Sequence, residues 1–149
     1  MRAVVQRVQN SSIIVKERLI ASIGPGLTVL LGIRKGDRET DVIYIMDKIM
    51  QLRIFPDNEG KMNWSLMDID GEILLISQFT LYADARKGRR PGFSAAEEPD
   101  QALALFERAV NHVRQTGLKI KTGVFGADML VNIENNGPCT ILLDSEKIF

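Results

Sequence analysis

LIASIGPGLTVLLGI, residues 19–33, decides the fold. Two short apolar runs, 19–23 and 27–33, flank Gly24-Pro25-Gly26, a strong turn signal. Toward the N-terminus the pattern repeats. Residues 3–8 are apolar apart from Gln6 and Arg7, and 12–15 follow a polar break at Gln9, Asn10 and Ser11. Short β-branched runs punctuated by turn residues predict an antiparallel meander.

Downstream the period changes. Val42, Ile45, Met46 and Ile49 recur at three- and four-residue steps, which predicts a helix over 38–51. Asp37 is its expected N-cap, with Glu39 and Asp41 favouring the first turn. Residues 55–61 carry Pro56, Asp57, Asn58 and Gly60 and predict a loop; 72–78 predict a strand. Its continuous apolar middle, 73–76, implies cover on both faces. A second loop is predicted over about 85–100. A second helix follows over 99–116, with Leu103, Phe106, Val110 and Val113 on one face and Gly117 ending it. Strands are predicted at 119–122, 129–133 and 139–143. Repeats, low-complexity segments and linkers are absent from the sequence. The reading is one domain over 1–149, mixed α/β: a curved, mainly antiparallel sheet or partial barrel with two packed helices. Edge strands of a small sheet need cover, which a homodimer would supply.

Composition bounds the chemistry. The 149 residues suit one domain of ordinary size, and 45% hydrophobic residues exclude a disordered chain. Nineteen Lys and Arg balance nineteen Asp and Glu, which argues against a protein that coats nucleic acid indiscriminately. A single cysteine, Cys139, excludes an internal disulfide and a thiol-rich metal site, and fits a reducing compartment. A single histidine, His112, excludes a two-histidine metal centre. The longest apolar runs are too short to span a membrane, and the N-terminal stretch has no apolar signal core, so a cytoplasmic protein is expected.

The usual nucleophile patterns are missing. Cys139 alternates with Ile141 and reads as a small buried residue. His112 lies off the apolar stripe of its helix and reads as a surface residue rather than a general base. There is no G-x-S-x-G elbow and no phosphate-binding P-loop. Three polar features remain. In SQFTLYAD, 77–84, an apolar strand turns abruptly into Ser, Gln and Thr, which either meet a ligand or satisfy turn backbone. NNGPCT, 135–140, reads as a turn between two strands. Its Gly–Pro bond is trans by default, whereas a cis bond would point two carbonyls the same way, able to hold an ammonium. Arg86, Lys87, Arg89 and Arg90 put four cations into five residues, either an anion site or a solvated loop.

SQFTLYAD and the N-x-G-P-x-T pattern at 135–140 resemble the two signature motifs of the D-aminoacyl-tRNA deacylase family. MRAVVQRV at the start, KGRRPGF at 87–93 and GVFGADM at 123–129 fit the same family in order and spacing, so the resemblance covers the whole chain. It implies a cytoplasmic homodimeric carboxylic ester hydrolase. Such an enzyme frees D-amino acids, and glycine from mischarged tRNA, without metal or cofactor, in an active site at the dimer interface. It implies a cis Gly137–Pro138 bond that projects into the partner's pocket and presents carbonyls to the substrate ammonium. Ser77, Gln78, Phe79 and Thr80 are implied around the ester and the terminal adenosine, with Phe125, Ala127 and Met129 as neighbouring wall. Arg7 is implied as a brace for the Gly–Pro loop.

The implied mechanism has a physical rationale. Mirror-image substrates carry the same groups, so a rigid main-chain obstacle rejects the L form better than any added contact. Glycyl esters have no side chain to reject. The terminal 2′-hydroxyl assists the attacking water, while the protein contributes positioning and donors for the developing oxyanion. Thr80 as a covalent nucleophile ranks lower, because no base for it is visible in the sequence. Arg86, Lys87, Arg89 and Arg90 are expected to meet tRNA phosphates, a salt-sensitive, sequence-neutral contact. The competing readings are a non-catalytic RNA-binding dimer and an esterase of free D-amino acid esters.

Overall fold

A computed structural model describes residues 1–148. The elements in order are β1 (Arg2–Val15), β2 (Arg18–Ile23), β3 (Gly26–Gly32), α1 (Glu39–Gln51), β4 (Phe55–Pro56), β5 (Met62–Trp64) and β6 (Glu72–Ser77). A short 3-10 turn (Phe79–Tyr82), α2 (Pro99–Gln115), β7 (Lys119–Thr122) and β8 (Leu130–Asp144) complete them. The fold is mixed α/β, with two helices and a nearly closed curved sheet.

β1 is the spine. β8 runs antiparallel to it along one edge, while β3 pairs with residues 2–8 and β2 with residues 11–15 on the other. The Gly24-Pro25-Gly26 turn is therefore not the hairpin that the meander reading implies. It hands the chain from one neighbour of β1 to the next along the same edge. The expected break at Gln9, Asn10 and Ser11 is also absent. Ser11 is buried and its hydroxyl donates to the Asn132 carbonyl at 2.8 Å. What the polar residues mark is a change of register against β8, between Gln6 and Asn10.

The sheet is mainly antiparallel, as expected, but β6 lies parallel to both β3 and β7. Each of those pairs is joined by a crossover containing a helix, which parallel pairing requires. β6 is covered on both faces, and its side chains alternate between two cores. Ile73 and Leu75 join the core under the helices, whereas Leu74 and Ile76 pack inside the curl against Val8, Ile13 and Ile23. The curl is drawn together by the Glu72 carboxylate, which accepts from the Gly24 N–H at 2.8 Å, and by Lys121, which donates to the Ser22 carbonyl.

Some expectations need correction. Residues 55–56 and 62–64 form a small two-stranded ribbon around the predicted loop. The N-cap of α1 is Arg38. Asp37 instead accepts from the Arg34 N–H at 2.7 Å and the Met1 amino group at 2.8 Å. On α2, Leu103 is exposed, and Ala102 and Ala109 join Phe106, Val110 and Val113 on the buried face. His112 is half-buried rather than free on the surface, its Nε2 2.7 Å from Asp47 Oδ1 across the α1–α2 contact. The strands predicted at 129–133 and 139–143 are one strand, β8, which begins at Leu130. Cys139 is buried, as the alternation implies.

Leu75 has no exposed surface under the helices. Leu75→Ala should cost about 2–5 kcal/mol, read as a lower denaturation midpoint, while Glu59→Ala on an exposed loop should stay within about 0.5 kcal/mol.

Candidate active site

The end of β6 is fixed by main chain. The Gln78 N–H donates to the Leu31 carbonyl at 2.8 Å, extending the parallel ladder by one bond. The chain then tightens: Leu81 N–H bonds Gln78 O at 3.2 Å and Ala83 N–H bonds Thr80 O at 3.0 Å. Gly32 lets this turn lie against β3, because a Cβ there would stand 2.9 Å from Leu81 Cβ and 3.1 Å from the Gln78 carbonyl. Ser77 and Gln78 end half-buried, and Phe79 and Thr80 exposed.

A cleft of about 630 Å³ opens beside this turn. Ser77, Gln78 and Phe79 line one side, and Phe125, Ala127 and Met129 the other. Two segments nearly fifty residues apart, each singled out in the sequence, thus share one space. Thr80 does not line it. Its hydroxyl accepts a hydrogen bond from the Gln78 side-chain amide, and no carboxylate or imidazole bonds it among the described residues.

The sequence reading missed the third wall. Ile33, Phe93, Glu97 and Ala102 line the cleft as well. The 93–98 segment is held there by Lys35 N–H to Ala95 O at 3.1 Å and Glu97 N–H to Ile33 O at 3.0 Å, and a Lys35–Glu98 ion pair of 3.0 Å sits at its rim. The signal for Phe93 was present, an aromatic closing the KGRRPGF stretch. Ile33 read only as the end of an apolar strand, and Ala102 lay off the face assigned to its helix.

Arg7, Gly137 and Pro138 do not line this cleft of their own chain. From the Gln6–Thr140 pair to the Val8–Asn135 pair, β1 advances two residues while β8 advances five. Residues 136–139 therefore leave the ladder as a bulge, not as a turn between two strands. The Gly137–Pro138 peptide is cis, not the trans default, and both residues are exposed in the single chain. At the base of the bulge Arg7 is buried, 9% exposed. Its Nε donates to the Asn136 carbonyl at 2.8 Å and a terminal nitrogen donates to the Ile54 carbonyl.

The basic segment is a hairpin. Asp84 and Gly92 exchange both main-chain hydrogen bonds, Asp84 N–H to Gly92 O at 2.7 Å and Gly92 N–H to Asp84 O at 2.9 Å. Arg86 folds back to grip the Asp84 carboxylate through Nε at 2.9 Å and a terminal nitrogen at 2.8 Å. Those side-chain bonds, then the Arg86 N–H, hold the Asp84 carboxyl well below the usual carboxylate range. Arg86 thus spends its charge inside the hairpin. Lys87, Arg89 and Arg90 are exposed and enter no ion pair among the described residues.

Comparison with known proteins follows the same segments. The family model of D-Tyr-tRNA(Tyr) deacylase matches residues 4–144. A protein named D-aminoacyl-tRNA deacylase from Syntrophomonas wolfei is 64% identical over all of both chains. One of the same name from Aquifex aeolicus is 53% identical over 99% of this chain and all of its own. A solved structure named c-Myc DNA Unwinding Element Binding Protein superposes with a TM-score of 0.91 at 42% identity, covering 97% of this chain and 98% of its own. A probable eukaryotic D-amino acid tRNA deacylase, 18% identical, shares the fold at a TM-score of 0.80 over 95% and 97% of the two chains. No helix among the described residues is long and apolar enough to cross a membrane.

The Arg7 contacts make a stability prediction. Arg7→Met fills similar space but leaves two carbonyls without their donor, a cost of about 1–3 kcal/mol in chemical denaturation. Amide exchange should quicken at Cys139 and Thr140 before it does in β3.

Proposed function

The chain belongs to the D-Tyr-tRNA(Tyr) deacylase family, and on that premise we propose that it hydrolyses the ester between a D-amino acid and the 3′ end of tRNA. The observation that carries this reading is the meeting of Ser77, Gln78 and Phe79 with Phe125, Ala127 and Met129 in one cleft, large enough for an aminoacyl nucleoside.

Water adds to the ester carbonyl carbon, the bond from that carbon to the ribose 3′-oxygen breaks, and the 3′-oxygen leaves with a proton. The neighbouring 2′-hydroxyl of the terminal ribose assists the water. The protein holds the ester at the end of β6 and offers donors to the developing oxyanion. Thr80 serves this arrangement by holding the Gln78 amide, and its engaged hydroxyl without a neighbouring base does not favour a covalent role.

The chiral filter is main chain. The protein works as a cytoplasmic homodimer in which the 136–139 bulge of one copy enters the cleft of the other, with Arg7 holding its base. There the carbonyls beside Gly137 and Pro138 accept from the substrate α-ammonium, and the backbone occupies the volume an L side chain needs. D-aminoacyl and glycyl esters avoid the obstacle, so mischarged glycyl-tRNA is also a substrate. Lys87, Arg89 and Arg90 take tRNA phosphates, with Arg86 shaping their hairpin.

One observation favours a second reading. The 42% identical solved structure is named for binding a DNA unwinding element, and three exposed cations offer a contact that needs no particular sequence. On that reading the protein binds nucleic acid without cleaving the ester.

Incubation with D-Tyr-tRNA and L-Tyr-tRNA separates the two. The D ester should disappear and the L ester persist; binding of both with neither hydrolysed would establish the second reading. Thr80→Ala should keep most activity, whereas a terminal 2′-deoxyribose should lose it, and the reverse pattern would make Thr80 the nucleophile. Arg89→Ala with Arg90→Ala should lower the log–log salt slope of tRNA binding by about 1–2, equally for unrelated tRNAs.

A further inference from the structure

Phe79 and Phe93 are large apolar side chains left 55% and 38% exposed at the mouth of the cleft. They touch edge to face, with centroids 5.0 Å apart and planes 70° apart, an arrangement that leaves ring faces open. Each is tied to a different part of the site. Phe79 begins the turn that follows Ser77 and Gln78, so it moves with the end of β6. Phe93 follows Gly92, whose paired bonds with Asp84 close the basic hairpin. Phe93 thus joins the cleft it lines to the hairpin that carries Lys87, Arg89 and Arg90. Exposed aromatic faces beside exposed cations are the pairing that holds single-stranded nucleic acid, bases on the rings and phosphates on the cations.

We infer that Phe93, with Phe79 against it, is a stacking platform for the base of the nucleotide that precedes the terminal adenosine, the hairpin cations taking the phosphates beyond. The inference rests on the deacylase reading and adds to it a substrate element. The enzyme reads an unpaired 3′ end of at least two nucleotides, with little preference for the base it stacks. Phe93 is then a positioning residue: it shortens the search of the 3′ end for the cleft and takes no part in bond breaking.

The test uses one D-tyrosyl ester on three carriers: adenosine alone, the trinucleotide CCA, and tRNA. Hydrolysis of any of them by the wild-type protein tests the deacylase reading separately. Phe93→Leu keeps an apolar side chain without a π face. It should raise KM about tenfold on the trinucleotide and on tRNA, leave kcat within about twofold, and raise KM on the adenosine ester several-fold less. Phe93→Tyr should restore the KM. A loss of equal size on all three carriers would place Phe93 at the adenosine or in the fold and overturn the platform. No loss on any carrier, or a loss on tRNA alone, would overturn it as well, the latter assigning the contact to the duplex stem.

Discussion

A guanidinium buried between two main-chain carbonyls fixes the base of the bulge on β8. Arg7 sits on the central strand with almost no exposed surface, and its described partners are the carbonyls of Asn136 and Ile54, which are neutral. Burying a charge without a counter-ion is unfavourable, and bonds from a charged donor to carbonyls recover only about 1.5–3 kcal/mol each. Such an arrangement persists where the geometry it enforces matters. Here it ties the base of the 136–139 bulge to the chain just before the β4–β5 ribbon, so residues that have left the strand ladder still have a fixed position.

The same economy of side-chain chemistry runs through the cleft. The hydroxyl of Ser77, the amide of Gln78 and the rings of Phe79, Phe93 and Phe125 line it beside the carboxylates of Glu97, Glu98 and Asp128, and its position is set by backbone bonds from Gln78 to Leu31, Lys35 to Ala95 and Glu97 to Ile33. His112 is engaged with Asp47 between the helices, and the Thr80 hydroxyl with Gln78. An aminoacyl ester is already activated by its own ammonium and ribose hydroxyl, so orientation is the larger contribution left for the protein. On the proposed reading two structural units serve that end: a cleft built from β6 and the 123–129 loop, and a bulge on β8 exposed on the same chain. Their separation on one chain is what makes a second copy part of the proposed site.

The sequence revealed the elements better than their pairing. The periodicity of Val42, Ile45, Met46 and Ile49 located α1 to within a residue, and the apolar middle of β6 signalled its two covered faces. Whether β3 pairs with β2 or lies end to end with it depends on β1 being long enough to hold both, which the polar residues at 9–11 concealed. The Gly–Pro segment read as a turn because local chemistry cannot distinguish a turn between strands from a bulge within one. Ser77, Gln78 and Phe79, and Phe125, Ala127 and Met129, were singled out through motif resemblance, and the fold brings them to one cleft. Ile33 and Ala102 were not singled out, since an apolar cleft wall and an apolar core share one pattern. The four cations of the hairpin looked equivalent in sequence, and only the grip of Arg86 on Asp84 separates the paired one from the three that enter no ion pair among the described residues.

Complementation between two defective copies bears most directly on a site shared by two chains. A Cβ at Gly137 would run into Cys139, so Gly137→Val spoils the bulge and leaves the cleft intact. Ala127→Trp fills the cleft and leaves the bulge intact. Each variant alone should be inactive on D-Tyr-tRNA. Refolded together in equal amounts, they should recover about a quarter of wild-type activity, because half the pairs are mixed and each mixed pair has one sound cleft facing one sound bulge. Mixed pairs that form and stay inactive would contradict a main-chain element lent by one copy to the site of the other.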